Sequence, residues 1–174
     1  MSGELLGSSG GTLASVGWRV TGDPQIQFRA IGPAGISIDG VGRNVHVSET
    51  NGIVIVTIPL DDLQTGIWFR DRAMKVDYLE TAKFPVATFG VKKSSLRLPE
   101  PDPVNAVASG QLTLHGITRT VRFGYHAKGA ERAATVEGSM QIDLIEFEID
   151  IPRHLGVSVR PIIEVLVKLD IVAE

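Results

Sequence analysis

Alternation of apolar and polar residues with a period of two runs through most of this chain. It is clearest near the C-terminus, where Ile163, Val165, Val167, Leu169 and Ile171 are separated mainly by charged residues. A period of two places every second side chain on the same face of a β-strand. The same pattern recurs in residues 25–30, 36–39, 44–48, 104–114, 118–127 and 135–144. We also predict a strand over residues 87–98 and a loop or short helix over residues 145–158. The sequence therefore predicts an all-β fold without βαβ units.

Short turn signals separate the predicted strands. Asn51-Gly52 precedes the β-branched run Ile53–Ile58, and His115-Gly116-Ile117 joins two alternating segments. Asn-Gly favours a tight hairpin because both residues tolerate positive φ. About eight strands joined mostly by hairpins protect their edges best by closing on themselves. We predict an eight-stranded antiparallel barrel, a size that can hold one small ligand.

One stretch, TGIWFRDRAMKVDYLETAKFPVATF, carries a helix signal instead of a strand signal. Met74 and Tyr78 lie four residues apart, and Asp71 is suited to the N-cap or the first turn of a helix. We predict a short helix over residues 71–79. In a chain made mostly of strands, a helix of this kind is expected to cover one end of the barrel.

Composition bounds the classes of function. The chain has 174 residues, which suits one domain, and its net charge of -3 with no block of like charges argues against nucleic-acid binding. It has no cysteine, which excludes disulfides, a thiol nucleophile and cysteine zinc sites. No apolar run reaches the roughly 18 residues of a transmembrane helix.

The N-terminal region is rich in glycine and serine. We predict a flexible tail over residues 1–13, followed by a single β-barrel domain over residues 14–174. The first residues lack the basic and long apolar regions of a signal peptide. This favours the cytoplasm for the chain as it stands, and the periplasm or secretion if a signal was removed.

Catalytic signatures are few. Residues 7–11 match the pattern G-x-S-x-G, but no predicted strand precedes them and no predicted helix follows. The four histidines show no metal-ligand spacing. We expect no catalytic residue, no metal and no cofactor. An enzyme that acts on a small apolar substrate through His115 or Asp71 is kept as the least favoured alternative.

The residues around the predicted helix allow two interpretations. Arg70-Asp71-Arg72 is either an ion pair with a helix cap or a charged rim that contacts an anionic head group. Four aromatic residues lie near the helix in sequence: Trp68, Phe69, Phe84 and Phe89. They would be plain core in a sandwich, whereas in a barrel they could line a ligand cavity.

Several segments together resemble the YceI-like family, a lipocalin-like group related to polyisoprenoid-binding proteins. The resemblance rests on Trp18-Arg19-Val20, Phe28, Leu63-Gln64-Thr65-Gly66, Arg70-Asp71, Tyr78-Leu79-Glu80, Phe84-Pro85 with Thr88-Phe89, the run from Gly110 to Thr118, and the final alternating strand. It implies a bacterial protein with an eight-stranded antiparallel barrel, a helical element near one end, and a long-chain isoprenoid, quinone-like or amide lipid inside. A homodimer is also compatible with the resemblance.

The chain departs from the family pattern in two places. Ala73 stands where members commonly carry a histidine two positions after the aspartate of the arginine-aspartate pair. The segment Gly32-Pro33-Ala34-Gly35 stands where a longer apolar pattern is typical.

The leading hypothesis is binding, sequestration or transport of a long-chain amphiphile inside an apolar barrel. The candidates for the cavity wall are Phe28, Ile67, Trp68, Met74, Tyr78, Phe84, Phe89, Leu112, Leu114 and Phe123. The candidates for polar contacts near the mouth are Arg70, His115 and Arg119. The alternative is a barrel filled by its own side chains that serves as a scaffold or protein-interaction module.

Overall fold

The computed structural model describes residues 17–130, 132–154 and 157–174, so the predicted tail at residues 1–13 lies outside the described part. Eleven strands form within these residues. They are β1 (Trp18–Ile31), β2 (Ser37–Gly42), β3 (His46–Thr50), β4 (Ile53–Pro59), β5 (Val86–Lys92), β6 (Val104–Leu114), β7 (Ile117–Ala130), β8 (Ala133–Asp143), β9 (Arg153–His154), β10 (Val157–Ser158) and β11 (Ile162–Ala173).

Nine of these strands form one antiparallel sheet in the order β2-β1-β11-β8-β7-β6-β5-β4-β3. β9 and β10 form a separate two-stranded pair. The large sheet curls so that β3 lies against β1, while β2 and β3 remain its two edges. The prediction of an all-β antiparallel barrel-like fold is confirmed, with nine strands in the sheet instead of eight and with open edges.

The two predicted hairpin turns are confirmed. Asn51 and Gly52 have φ of 51° and 74°, and His115 and Gly116 have φ of 54° and 75°. Two successive residues with positive φ form the type I′ turn, whose twist matches that of the strands on either side. These turns fix the register of β3 with β4 and of β6 with β7.

The helix begins earlier than the sequence predicts. α1 spans Trp68–Ala73, and its N-cap position is Ile67. Of the two positions predicted for Asp71, the N-cap is therefore wrong and the first turn is confirmed. Gly66 has φ of 83°, which turns the chain into the helix. The Asp71 carboxylate instead accepts hydrogen bonds from the Thr65 backbone N–H at 2.7 Å and hydroxyl at 2.6 Å. Asp71 thereby ties the first turn to the preceding loop.

A π-helical turn, Met74–Tyr78, continues directly from α1. The Leu79 N–H donates to the Met74 carbonyl at 2.8 Å, five residues back, instead of the four of an α-helix. α1 and this turn lie between the end of β4 and the start of β5. None of the helices in the described ranges is long and apolar enough to cross a bilayer.

Two connections differ from their predicted form. The strand predicted over residues 87–98 ends at Lys92 and is followed by a 3-10 turn, Lys93–Ser95. The Lys93 N–H still donates to the Gly52 carbonyl in the register of the β4–β5 ladder, and the Leu96 N–H then donates to the Lys93 carbonyl and closes the turn. Residues 145–158, predicted as loop or short helix, contain most of a 3-10 turn, Leu144–Phe147, together with β9 and β10.

Aromatic rings approach the backbone closely on the inner face of the sheet. A Cβ at Gly110 would lie 2.5 Å from the Phe89 ring, and one at Gly40 would lie 2.0 Å from the Phe28 ring. Both glycines therefore make room for a ring. The Phe89 and Phe123 rings then meet edge to face, with centroids 5.2 Å apart.

Candidate functional site

An apolar cavity of about 740 Å³ lies inside the curled sheet. Its volume falls within the roughly 300–1,000 Å³ of small-molecule sites. One strand shows how the sequence builds its wall. Ile163, Val165, Val167, Leu169 and Ile171 of β11 all line the cavity, and the residues between them face away. The alternation that predicts the strand also produces an apolar wall.

The structure brings most of the sequence-predicted site residues to this cavity. Those that line it are Phe28, Arg70, Met74, Tyr78, Phe89, Leu112, Leu114 and Phe123. Those outside the lining are Ile67, Trp68, Phe84, His115 and Arg119. The first set belongs to strand positions that face inward and to one face of the helical segment.

The neighbouring aromatic residues of α1 differ in their placement. Trp68 is 75% exposed and lies outside the cavity lining. Phe69 is 60% exposed, yet it also lines the cavity. Since a side chain that is both exposed and lining must stand at an opening, Phe69 marks a mouth of the cavity beside α1.

His115 anchors the turn between β6 and β7 and does not line the cavity. Its Nε2 lies 2.5 Å from a carboxylate oxygen of Glu80, and its Nδ1 lies 3.1 Å from the Phe147 carbonyl oxygen. The Phe84 ring packs on the imidazole, with centroids 4.8 Å apart. His115 therefore connects the hairpin with the loop after the π-helical turn and with the 3-10 turn before β9.

We call the end of the cavity beside α1 and the π-helical turn the helix end. Two cations, Arg70 and Arg153, line it. Arg70 is half-buried, and Arg153 is exposed. The hydroxyl of Tyr78, which also lines the cavity, accepts a hydrogen bond from the Arg153 backbone N–H at 3.4 Å. The helix end thus presents two guanidinium groups and a phenol around an apolar opening.

The opposite end is bordered by the 3-10 turn after β5 and by residues 96–98. Lys93 lines the cavity here and places its ammonium 3.0 Å from the carboxylate of Glu49, whose side chain is only 4% exposed. The same ammonium lies 5.8 Å from the centre of the Trp18 ring. Arg97 is exposed and lines the cavity, and its backbone N–H donates to the Tyr125 hydroxyl at 2.7 Å.

The charged residues of the lining all have the same sign. Arg70, Lys93, Arg97 and Arg153 line the cavity, and the described lining includes no aspartate or glutamate. Sequence reasoning missed all of these except Arg70. Lys93, Arg97 and Arg153 lie at or beyond strand ends, where no period marks which side chains face inward. The signal available was the position of Arg97 between Leu96 and Leu98, an apolar-flanked cation next to a strand.

A carboxylate near the helix end fixes the connection between the two edge strands. Asp62 accepts hydrogen bonds from the backbone N–H groups of Arg43 at 2.6 Å and Asn44 at 2.9 Å. The pKa of Asp62 is lowered, first because the Asn44 N–H stabilises the carboxylate, with a further contribution from Arg43 and against an opposing effect of burial. Asp62 therefore holds the chain between β2 and β3 in its ionised form.

The described residues contain no group of three histidine, cysteine, aspartate or glutamate side chains that could hold a metal ion. His115 and Asp71, the residues considered for an enzymatic alternative, are both engaged in hydrogen bonds that join loops and turns. What the arrangement offers chemically is an apolar volume with cations at its ends.

Comparison with solved structures shows the same fold. A polyisoprenoid-binding domain from Saccharophagus degradans, implicated in plant cell wall breakdown, has a TM-score of 0.76 at 15% identity, over 91% of this chain and 99% of that one. BcnA from Burkholderia cenocepacia has a TM-score of 0.66 at 16% identity, over 84% and 95% of the two chains. A YceI protein from Campylobacter jejuni has a TM-score of 0.56 at 14% identity, over 79% and 85%.

A search of curated protein sequences found no significant match. The family model described as the YceI-like domain matches residues 20–173, which is nearly the whole of the described chain. The curled antiparallel sheet and the short helix of the described residues agree with that match. The chain belongs to the YceI-like family.

Proposed function

We propose that this protein binds one long-chain amphiphile, of which an isoprenoid is the first candidate, and sequesters or carries it inside the curled sheet. The observation that carries the proposal is the continuous apolar cavity of about 740 Å³. Long hydrocarbon chains are nearly insoluble in water, and each methylene that is buried contributes about 0.8 kcal/mol. An apolar cavity supplies this free energy without any catalytic group.

The polyisoprenoid-binding domain from Saccharophagus degradans supports an isoprenoid as the ligand class, because that domain has the same fold. The shape of the site supports a chain-like ligand. Side chains from β1, β4, β5, β6, β8 and β11 contribute to one connected wall. On β11 the lining residues run from Ile163 to Ile171, which is about 26 Å along the strand at roughly 3.3 Å per residue. We infer that the hydrocarbon lies along the inner face of the sheet, with its polar group near one end.

Two glycines provide a test with a matched control. Gly138 lines the cavity, and the nearest atom to a Cβ built there is the Gly124 carbonyl oxygen at 3.8 Å. Gly124 lies on the neighbouring strand between the cavity-lining residues Phe123 and Tyr125, so its side chain would point away from the cavity. A Cβ there would meet nothing closer than 3.8 Å. Gly138→Phe fills the cavity, whereas Gly124→Phe adds the same group to the outer face.

The experiment is native mass spectrometry of each variant after incubation with geranylgeraniol. We expect one bound ligand in the wild type and in Gly124→Phe, and loss of most binding in Gly138→Phe. Circular dichroism verifies that each variant is folded, and Gly138→Leu replaces Gly138→Phe if the larger side chain prevents folding. Uptake by a folded cavity-filled variant equal to that of the wild type would refute the proposal, as would a wild type that binds no ligand.

A further inference from the structure

The charged residues of the described cavity lining are basic, whereas the chain as a whole has more acidic than basic residues. Aspartate and glutamate number 20 and lysine and arginine 17, yet each of the four charged residues in the described lining is a cation. A set of charges placed only to keep the rim soluble would include both signs. The lining therefore points to a ligand that carries negative charge.

The guanidinium groups at the helix end have no partner among the residues that the structure describes. Neither the Arg70 side chain nor that of Arg153 makes a hydrogen bond or ion pair with another described residue. Asp71, the acid next to Arg70 in sequence, directs its carboxylate to Thr65. Arginine is always charged and presents five donors in a planar fork that fits a carboxylate or phosphate. These two residues have their donors available for a ligand.

The Tyr78 hydroxyl adds a donor at the same end. It accepts the Arg153 backbone N–H, which leaves its own proton available. Since Tyr78 lines the cavity, this proton can be donated to an oxygen atom at the boundary between the apolar wall and the mouth.

The opposite end is less suited to an anion. The Lys93 ammonium is paired with the buried carboxylate of Glu49, so a second anion there would meet a negative charge as well as a positive one. Arg97 is the one remaining cation of the described lining at that end. The two ends thus differ in available positive charge, and the difference sets a direction for the ligand.

We propose that the cavity selects amphiphiles with an anionic head group, a carboxylate or a phosphate, bound at the helix end by Arg70 and Arg153. The hydrocarbon chain then runs towards Lys93 and Arg97. This inference rests on the proposed function, because it names the class of amphiphile that the same cavity takes.

The first test compares ligands that share one hydrocarbon chain and differ only in the head group. Hexadecanoate, hexadecyl phosphate, hexadecanol and hexadecylammonium compete for the wild-type cavity against a fluorescent fatty-chain probe at moderate salt and below their micelle concentrations. We expect the two anions to bind at least about tenfold more tightly than the alcohol, since hydrogen bonds between ionised partners are stronger than those to a neutral hydroxyl. The ammonium compound should bind most weakly. The ratio of carboxylate to phosphate affinity identifies which anion fits better.

The second test assigns the position of the head group. Arg70→Gln and Arg153→Gln should each reduce the ratio of anion affinity to alcohol affinity by several-fold. Arg122→Gln removes an exposed charge from the outer face of β7 and serves as the matched control. Arg97→Gln tests the opposite end in the same assay.

The outcomes separate the two proposals. Binding of all four ligands with similar affinity keeps the lipid-binding function and overturns the anionic selection. Loss of the preference in Arg97→Gln but not in the two helix-end variants overturns the assigned orientation. Failure of every ligand to bind overturns both. An anion preference that Arg70→Gln and Arg153→Gln reduce, and that Arg122→Gln retains, supports the inference.

Discussion

The two ends of the cavity carry charges of the same sign, but the charges have different surroundings. At the opposite end, Lys93 is held between a buried Glu49 carboxylate and the ring of Trp18. At the helix end, the guanidinium groups of Arg70 and Arg153 extend from α1 and from the start of β9, and neither has a partner among the described residues. A cation with a buried anion is part of the folded structure, whereas a cation without one is available to a ligand.

A cationic side chain at the rim of the cavity can serve stability or ligand binding, and its surroundings decide which. Buried charges are tolerated when they are paired, and removing one partner leaves the other uncompensated. Exposed or half-buried cations without partners contribute little to stability. The same kind of substitution should therefore change stability at one end and ligand preference at the other.

The largest expected effect on stability comes from the paired end. Lys93→Met leaves the Glu49 carboxylate buried without its cation, and we expect the free energy of unfolding to fall by about 3 kcal/mol. Urea denaturation at pH 7 measures this change. Arg70→Gln, treated in the same way, should stay within about 0.5 kcal/mol of the wild type.

A double variant shows whether the loss comes from the unpaired acid. Lys93→Met with Glu49→Leu removes both charges and should recover part of the lost stability. If the double variant is less stable than Lys93→Met, Glu49 has a stabilising role beyond its pair with Lys93. An equal loss of stability in Lys93→Met and Arg70→Gln would remove the distinction between the two ends.

The next effect concerns how the helix end is held in place. His115→Ala removes the contacts of the imidazole with Glu80 and with the Phe147 carbonyl. We expect a loss of about 2 kcal/mol, since one of these contacts involves a charged partner and the side chain is mostly buried. Thermal unfolding followed by circular dichroism gives the change.

A second histidine provides the control for this prediction. His126 pairs with Asn105 on the sheet, in an exposed hydrogen bond of 2.9 Å. His126→Ala should change the stability by no more than about 0.5 kcal/mol. If the two variants lose the same stability, the connection through His115 does not hold the helix end.

The smallest effect is the pH dependence of the connection between the edge strands. The pKa of Asp62 in the folded protein is lower than its ordinary value of 3.8. The stability that ionised Asp62 contributes is therefore complete above pH 3.8, and it is lost as the pH falls through the folded-state pKa. We expect the difference in unfolding free energy between the wild type and Asp62→Asn to be about 1 kcal/mol at pH 7 and to vanish in strong acid. A difference that stays constant with pH would assign the effect to the shape of the side chain instead of its charge.

Much of the wall of the cavity could be predicted from alternation. The inner faces of β6, β7 and β11 contain every second residue, and this alternation predicts that Leu112, Leu114 and Phe123 line the cavity, as they do. Turn chemistry predicted both hairpins because Asn-Gly and His-Gly are local signals. Strand faces and hairpin turns depend on residues that are neighbours in the sequence, so these features can be predicted from the sequence alone.

The rest depends on contacts between distant parts of the chain. Glu49 and Lys93 are 44 residues apart, and no local pattern pairs them. Trp68 is a candidate for the wall because it lies near the predicted helix and other aromatic residues in sequence, but α1 begins at Trp68 itself, with that side chain exposed. Arg153 lies in a segment without periodicity, so its position at the cavity could be found only from the fold.

The π-helical turn affects which mutations the wall of the cavity tolerates during evolution. Met74, Tyr78 and Leu79 all line the cavity. In an α-helix at about 100° per residue, a side chain five positions on lies about 140° around the axis from the first, so Met74 and Leu79 would face different ways. The wider π-helical turn brings Leu79, five positions after Met74, back to the side of the axis that faces the cavity. This part of the wall therefore depends on the number of residues in the turn as well as on their type, and insertions or deletions there alter it more than conservative substitutions do.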